Sequence, residues 1–168
     1  RLVVNNMYRK IALGIMIGLV AGCGGQSADE LFAAGEQAAV DPATVNEATS
    51  HFKAFVERHP EHQRAPEALK KLAALAQQQG RMQEAIDYYG RILAEYNGSG
   101  HDDEAQFMIA FIYEEHIGDF AKAKLAYQRI IDEYPDSELA ANARHLLPNV
   151  GRNPEDWVEF QDRGVSTQ

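Results

Sequence analysis

The sequence predicts an all-α protein, a stack of antiparallel helix pairs closed at its C-terminal end by one further helix. Two observations carry that expectation. Apolar residues between about 28 and 148 recur at helical rather than strand spacing. The same order of small and bulky side chains then returns every 37 or 38 residues, and a period of that length marks stacked supersecondary units.

The register emerges when His59, Tyr96 and Tyr134 are aligned. Eleven residues earlier stand Ala48, Ala85 and Ala123, and seven earlier Phe52, Tyr89 and Tyr127. Phe55, Ile92 and Ile130 precede the turns by four residues, and Val56, Leu93 and Ile131 by three. Nine residues beyond come Ala68, Ala105 and Ala143, and thirteen beyond Leu72, Ile109 and Leu147. A step of seven or eight residues returns a side chain to the same helix face, and an Ala there lets a neighbouring helix approach closely.

Helices are expected over 28–39, 43–59, 64–79, 81–96, 102–116, 119–134 and 137–147. Gly80, Gly118 and the stretch Asn97-Gly98-Ser99-Gly100 separate them. Asp136-Ser137 followed by Glu138 reads as the start of the closing helix, which covers the apolar face that a repeat stack leaves open. Beyond Pro148 the tail is polar over 149–168. Within it Asn153, Pro154, Glu155 and Asp156 predict one or two helical turns that place Trp157 and Phe160 on one face. That face either packs back on the last helix or serves as a short binding motif.

These units resemble tetratricopeptide repeats. The middle one carries Leu72-Ala73, Gly80, Ala85, Tyr89 and Ile92. The third carries Ile109-Ala110, Tyr113, Gly118, Ala123, Tyr127, Ile130 and Pro135, and the first Ala34-Gly35, Ala48, Phe52, Phe55 and Pro60. Asn97 replaces the closing Pro of the middle unit, Ala76 replaces its first-helix Tyr, and one extra residue precedes Gly118. The resemblance covers 28–148 as about three repeats plus a cap, and implies a right-handed superhelical solenoid whose first helices line a concave groove.

The first 22 residues have a different character. Tyr8, Arg9 and Lys10 precede the apolar run Ile11 to Val20, and Ala21, Gly22 and Cys23 follow. A basic segment, a ten-residue apolar core and small residues make a secretory signal, too short for a bilayer span of about 20 residues. Val20-Ala21-Gly22-Cys23 is similar to the lipobox of bacterial lipoproteins. That resemblance implies cleavage before Cys23, a diacylglycerol on its sulfur, and a tether over 23–27. Cys23 is the only cysteine in the sequence, so no intrachain disulfide accounts for it. Translation is expected to begin at Met7. Gly24 lacks the Asp character that retains enteric lipoproteins at the inner membrane, so the resemblance implies the periplasmic face of the outer membrane, or the outside of the cell membrane in a Gram-positive source.

No catalytic constellation accompanies these features. The sequence carries no phosphate-binding glycine loop, HExxH or paired-Cys metal motif. His59 and His62 flank a Pro turn, and a metal site there would need further ligands, for which Glu61 and His51 are the nearby candidates, although inter-repeat loops are ordinarily just solvated. All 25 acidic residues follow residue 22, against 13 basic ones, and such a surface repels phosphate backbones. The expectation is a non-enzymatic scaffold with protein partners, no nucleic acid, and no cofactor other than the lipid on Cys23. Composition gives no oligomeric state.

The groove positions of the repeat family fall on Phe32 and Glu36 in the first unit, Lys70 and Ala74 in the second, and Phe107 and Phe111 in the third. Asn142 and His145 follow in the closing helix. Phe107 and Phe111, one turn apart, either present an aromatic face to an incoming peptide or pack on the neighbouring first helix. Glu133-Tyr-Pro-Asp-Ser137, with Ala140 and Ala143, and the Gly118-Asp-Phe-Ala-Lys-Ala123 run are similar to the outer-membrane β-barrel assembly lipoprotein branch of the family. Those phrases also recur in the Tol-Pal-associated periplasmic branch. The first resemblance implies an assembly scaffold, the second an envelope-maintenance adaptor with a soluble partner.

Overall fold

The computed structural model describes residues 25–152. The signal-like segment, Cys23, and the Trp157–Phe160 segment of the tail lie outside those residues. Seven α-helices are present among the described residues: α1 (Ala28–Ala38), α2 (Val45–Arg58), α3 (Ala65–Gln78), α4 (Met82–Glu95), α5 (Asp102–Phe111), α6 (Phe120–Glu133) and α7 (Glu138–Leu146). They pack as the pairs α1–α2, α3–α4 and α5–α6, with α7 closing the stack against α6 and α5. The architecture is the all-α solenoid that the periodicity predicts.

Local chemistry sets the helix ends. Ser27 opens α1 with a reciprocal capping box. Its hydroxyl accepts from the Glu30 amide at 3.3 Å, and the Glu30 carboxylate accepts from the Ser27 amide at 2.8 Å. Between α1 and α2, Asp41 caps a 3₁₀ turn at Pro42–Thr44, and the Thr44 hydroxyl donates to the Ala38 carbonyl at 2.6 Å. Ser137 caps α7 by accepting from the Leu139 amide.

The three aligned turn residues share one backbone geometry. His59, Tyr96 and Tyr134 have φ/ψ of −131/52, −131/34 and −130/53, and their amides donate to the carbonyls of Phe55, Ile92 and Ile130. Asn97 in place of Pro leaves the middle junction unchanged, because the junction is made by that common geometry. The Tyr96 hydroxyl also reaches across to the Pro60 carbonyl at 3.0 Å.

One expected helix is corrected. The stretch 102–116 is not a single α-helix: α5 ends at Phe111 and passes into a π-helix over Ile112–Ile117. The extra residue before Gly118 is the reason. A π turn holds one more residue than an α turn, and Gly118, with φ 75°, ends it in the left-handed region that glycine enters without a Cβ penalty. The Asp119 amide closes the end by donating to the Tyr113 carbonyl at 2.9 Å.

The repeat positions form the core. Ala48, Ala85, Ala123, Ala68, Ala105 and Ala143 have no exposed surface, and neither do Phe52, Tyr127, Phe55, Ile92 and Ile130. Two apolar clusters result, one running from α1 to α5 with Ile112, the other shared by α5, α6 and α7. Gln106 of α5 is buried at the repeat position that Leu31 and Leu69 fill in the first two units. Its Nε2 donates to the Ala126 carbonyl at 3.1 Å, while its Oε1 is buried with no partner. A buried acceptor without a donor costs about 1–3 kcal/mol. Gln106→Leu is therefore expected to stabilise the fold by about 1 kcal/mol, read as a raised midpoint in urea; an unchanged or lowered midpoint would count against that account.

Candidate protein-interaction surface

The candidate surface is the face built by the first helices of the units, α1, α3, α5 and α7. At the repeat position shared by Phe32, Lys70, Phe107 and His145, the four side chains end in four different environments. Phe32 is fully buried. Its ring meets Phe52 and Phe55 edge-on, at centroid distances of 5.2 and 5.3 Å, and the Arg64 guanidinium lies 3.4 Å above it. Phe32 is thus corrected from a groove residue to a core residue. Its ring turns toward α2, and Arg64 covers what would have faced outward.

Lys70 and Glu36 are engaged in ionic contacts between adjacent first helices. Glu36 faces Arg64 at 3.7 Å and Lys71 at 3.8 Å, both from α3 or its N-terminal end. Lys70 pairs with Glu104 of α5 and lies 3.4 Å from His101 Nδ1. The Ser137 hydroxyl at the start of α7 donates to Asp103 at 2.5 Å. A polar ladder therefore steps from α1 to α7 across this face. Arg64 is its best-held member, with its Nε donating to Glu67 at 2.8 Å. That hydrogen bond holds the Glu67 carboxyl below its ordinary range. Each rung is half-exposed, so each contributes at most about 1 kcal/mol to stability; together they define a charged surface with both signs interleaved.

The third unit separates the two phenylalanines. Phe107 is half-buried and joins the second apolar cluster, with its ring edge-on to Tyr127 at 5.6 Å. Phe111 belongs to neither cluster; its ring meets His116 of the π-helix at 5.9 Å. Both rings are half-buried, and Phe111 is the one that packs on neither apolar cluster. Ala74, one repeat before Phe111, is exposed, as are Asn142 and His145 of α7. Phe107→Ser is expected to destabilise the fold by about 1–3 kcal/mol, and Phe111→Ser by less than about 1 kcal/mol, both measured by urea denaturation. Equal losses would contradict the separation.

The sequence placed these residues on first helices but did not show their cross-links. Glu104, Asp103 and Ser137 stand at helix starts, where acidic and hydroxyl residues suit the helix ends in any case. Lys70 and Glu104 stand 34 residues apart, short of the repeat period, so the period did not announce their pairing. The histidines offer little metal chemistry. The His59 and His62 rings both lie against Phe55, at 5.9 and 5.3 Å, and His62 Nδ1 accepts from the Arg64 amide. Among the described residues no group of three His, Cys, Asp or Glu could hold a metal, and no helix is long and apolar enough to cross a membrane.

Residues 67–99 and 104–137 match the family model described as Tetratricopeptide repeat. These segments take in α3–α4 and α5–α6, and α1–α2 repeats their core positions and junction geometry. The described residues form an all-α solenoid, and its 67–137 portion carries the matched tetratricopeptide repeats. Repeats of this kind suggest a protein-interaction scaffold. No curated protein matches the chain.

Proposed function

We propose that this chain is a non-enzymatic scaffold anchored in the bacterial envelope through a lipid on Cys23, and that it serves outer-membrane protein assembly. The observation that carries the anchor is Val20-Ala21-Gly22-Cys23 behind a basic and apolar leader, with a capped repeat stack starting only four residues later at Ser27. Two or three acyl chains, at about 0.8 kcal/mol per buried CH₂, hold a protein stably on a membrane. The candidate face supports the scaffold reading, since it presents polar side chains and half-buried Phe111 on packed helices. Supporting the assembly role is the resemblance of residues 118–123 and 133–137 to that lipoprotein branch.

The test is crosslinking in intact cells, with the trapped partners identified by mass spectrometry. Crosslinks to an outer-membrane barrel or its assembly proteins are expected. Crosslinks confined to soluble envelope proteins would replace the assembly role with the adaptor role. Cys23→Ser is expected to move the protein from the membrane to the soluble fraction, with loss of palmitate labelling. Retention of the label in that variant would overturn the anchor.

A further inference from the structure

Three glycines that follow first helices share one backbone state. Gly80, Gly118 and Gly151 have φ of 72°, 75° and 76°. They stand after α3, after the π-helix that continues α5, and after the 3₁₀ turn that ends α7. Behind Gly80 and Gly118 a second helix starts two residues on, at Met82 and Phe120. Gly151 thus makes the kind of turn that opens a second helix, with α7 as the first helix of its pair. A Cβ on Gly151 would come within 2.8 Å of the Phe120 ring, so the turn is seated against the start of α6.

Counting from these glycines shows what the next helix carries. Tyr89 and Tyr127 stand nine residues after their glycines and are buried, and Phe160 stands nine after Gly151. Trp157, six after Gly151, takes the position of Ile86, which is buried six after Gly80. The first-helix partners change in step. Gln77, three residues before Gly80, donates to the Tyr89 hydroxyl at 3.2 Å, and the Tyr127 hydroxyl donates to Glu114, four before Gly118, at 2.9 Å. Three and four residues before Gly151 stand Pro148 and Leu147. Polar tip and polar partner are replaced together by apolar groups, the substitution that leaves no unpaired polar atom where two side chains meet.

The end of the stack also leaves apolar surface uncovered. Ala76, four residues before Gly80, has no exposed surface, whereas Leu147, four before Gly151, is half-buried. Phe120 and Leu146, on the two helices that bracket the turn, are exposed.

We propose that residues 153–160 form the second helix of a short fourth unit and dock on the open end of the stack, with Phe160 against Leu147 and Pro148 and Trp157 on the same face. Asn153 and Pro154 start this helix within a residue of the point where α4 and α6 start after their glycines. Asp156 takes the place of Ala85 and Ala123, five residues after the glycine, where a small side chain permits close approach. The last pair is therefore set wider than the others, and the bulk of Leu147, Phe160 and Trp157 fills the space between its helices.

The experiment uses the full chain, in which Trp157 is the only tryptophan. Its emission is expected to be blue-shifted, and its quenching by acrylamide several-fold weaker, relative to the same chain unfolded in urea, at every protein concentration. Leu147→Glu and Phe160→Asp are each expected to raise quenching to the unfolded level while far-UV circular dichroism retains the helices of the stack. Phe160→Asp lies outside the packed core of α1–α7, so it reads docking even where Leu147→Glu unfolds the stack. Quenching in the folded chain equal to that in urea would overturn the docking. Protection that survives Leu147→Glu in a folded chain would put the segment on another surface, and protection that fades on dilution would put it on a second copy; either result would overturn the fourth unit.

Discussion

Phe52→Ala is expected to destabilise the protein by about 3–5 kcal/mol, the range for emptying a fully buried aromatic site. The ring has no exposed surface and is the hub of the first unit, edge-on to Phe32 and resting against Gly35. A Cβ on Gly35 would come within 2.9 Å of that ring, so the helices can approach this closely only because position 35 is glycine. Stability in a repeat stack is close to a sum of units and neighbour interfaces, so the loss should be local. Hydrogen exchange should show α1 and α2 losing protection before α5 and α6. Gly35→Ala should cost about 1–3 kcal/mol by overpacking. Combining it with Phe52→Leu should cost less than the two changes taken separately, since residues in contact are coupled. A loss below about 1 kcal/mol for Phe52→Ala would contradict this placement of the ring.

The second large effect lies at the other end of the stack. Tyr127 is fully buried between α5 and α6, and its hydroxyl donates to the Glu114 carboxylate at 2.9 Å. Tyr127→Ala is expected to cost about 3–5 kcal/mol, and Tyr127→Phe about 1 kcal/mol, because half-exposed Glu114 can take water in place of the lost donor. Burial, followed by the bond to the Glu114 carboxylate, pushes the Tyr127 phenol well above its ordinary range. The sign of the pH effect follows. Below the unfolded pKa, about 10, both states keep the proton and the contribution is complete. Above it the unfolded chain releases the proton while the folded chain keeps it, so stability falls by up to about 1.4 kcal/mol per pH unit until the folded phenol also ionises. Tyr127→Phe should remove that share of the alkaline slope in urea midpoints measured between pH 9 and 11. An unchanged slope would mean that the phenol is not held as described.

Both sites were legible in the sequence as repeat positions, because burial in a solenoid follows the period and the period is visible in one chain. Apart from the end of α5, helix boundaries fell within a residue or two for the same reason: Gly80, Gly118 and Ser137 end or start helices by their own backbone and side-chain chemistry. The interaction face was less legible. Phe32 and Lys70 occupy the same repeat position with opposite fates. Which way a side chain turns there depends on partners distant in sequence, Phe52 and Arg64 for one, Glu104 for the other. The π-helix announced itself only as a surplus residue before Gly118, and nothing local said whether the turn or the helix would take it up. Gln106 was invisible to the period, since a polar residue at a core position reads as a break in the pattern until its neighbours are known.

The three junctions at His59, Tyr96 and Tyr134 are spaced unequally in sequence but bend alike, because the π-helix takes up the surplus before the third is reached. Each unit therefore hands the next the same heading. A stack built this way behaves as a ruler: adding or deleting a unit would change its reach while leaving its curvature intact. The distance from the N-terminal unit at which the last helices can meet a partner is thus graduated in whole repeats.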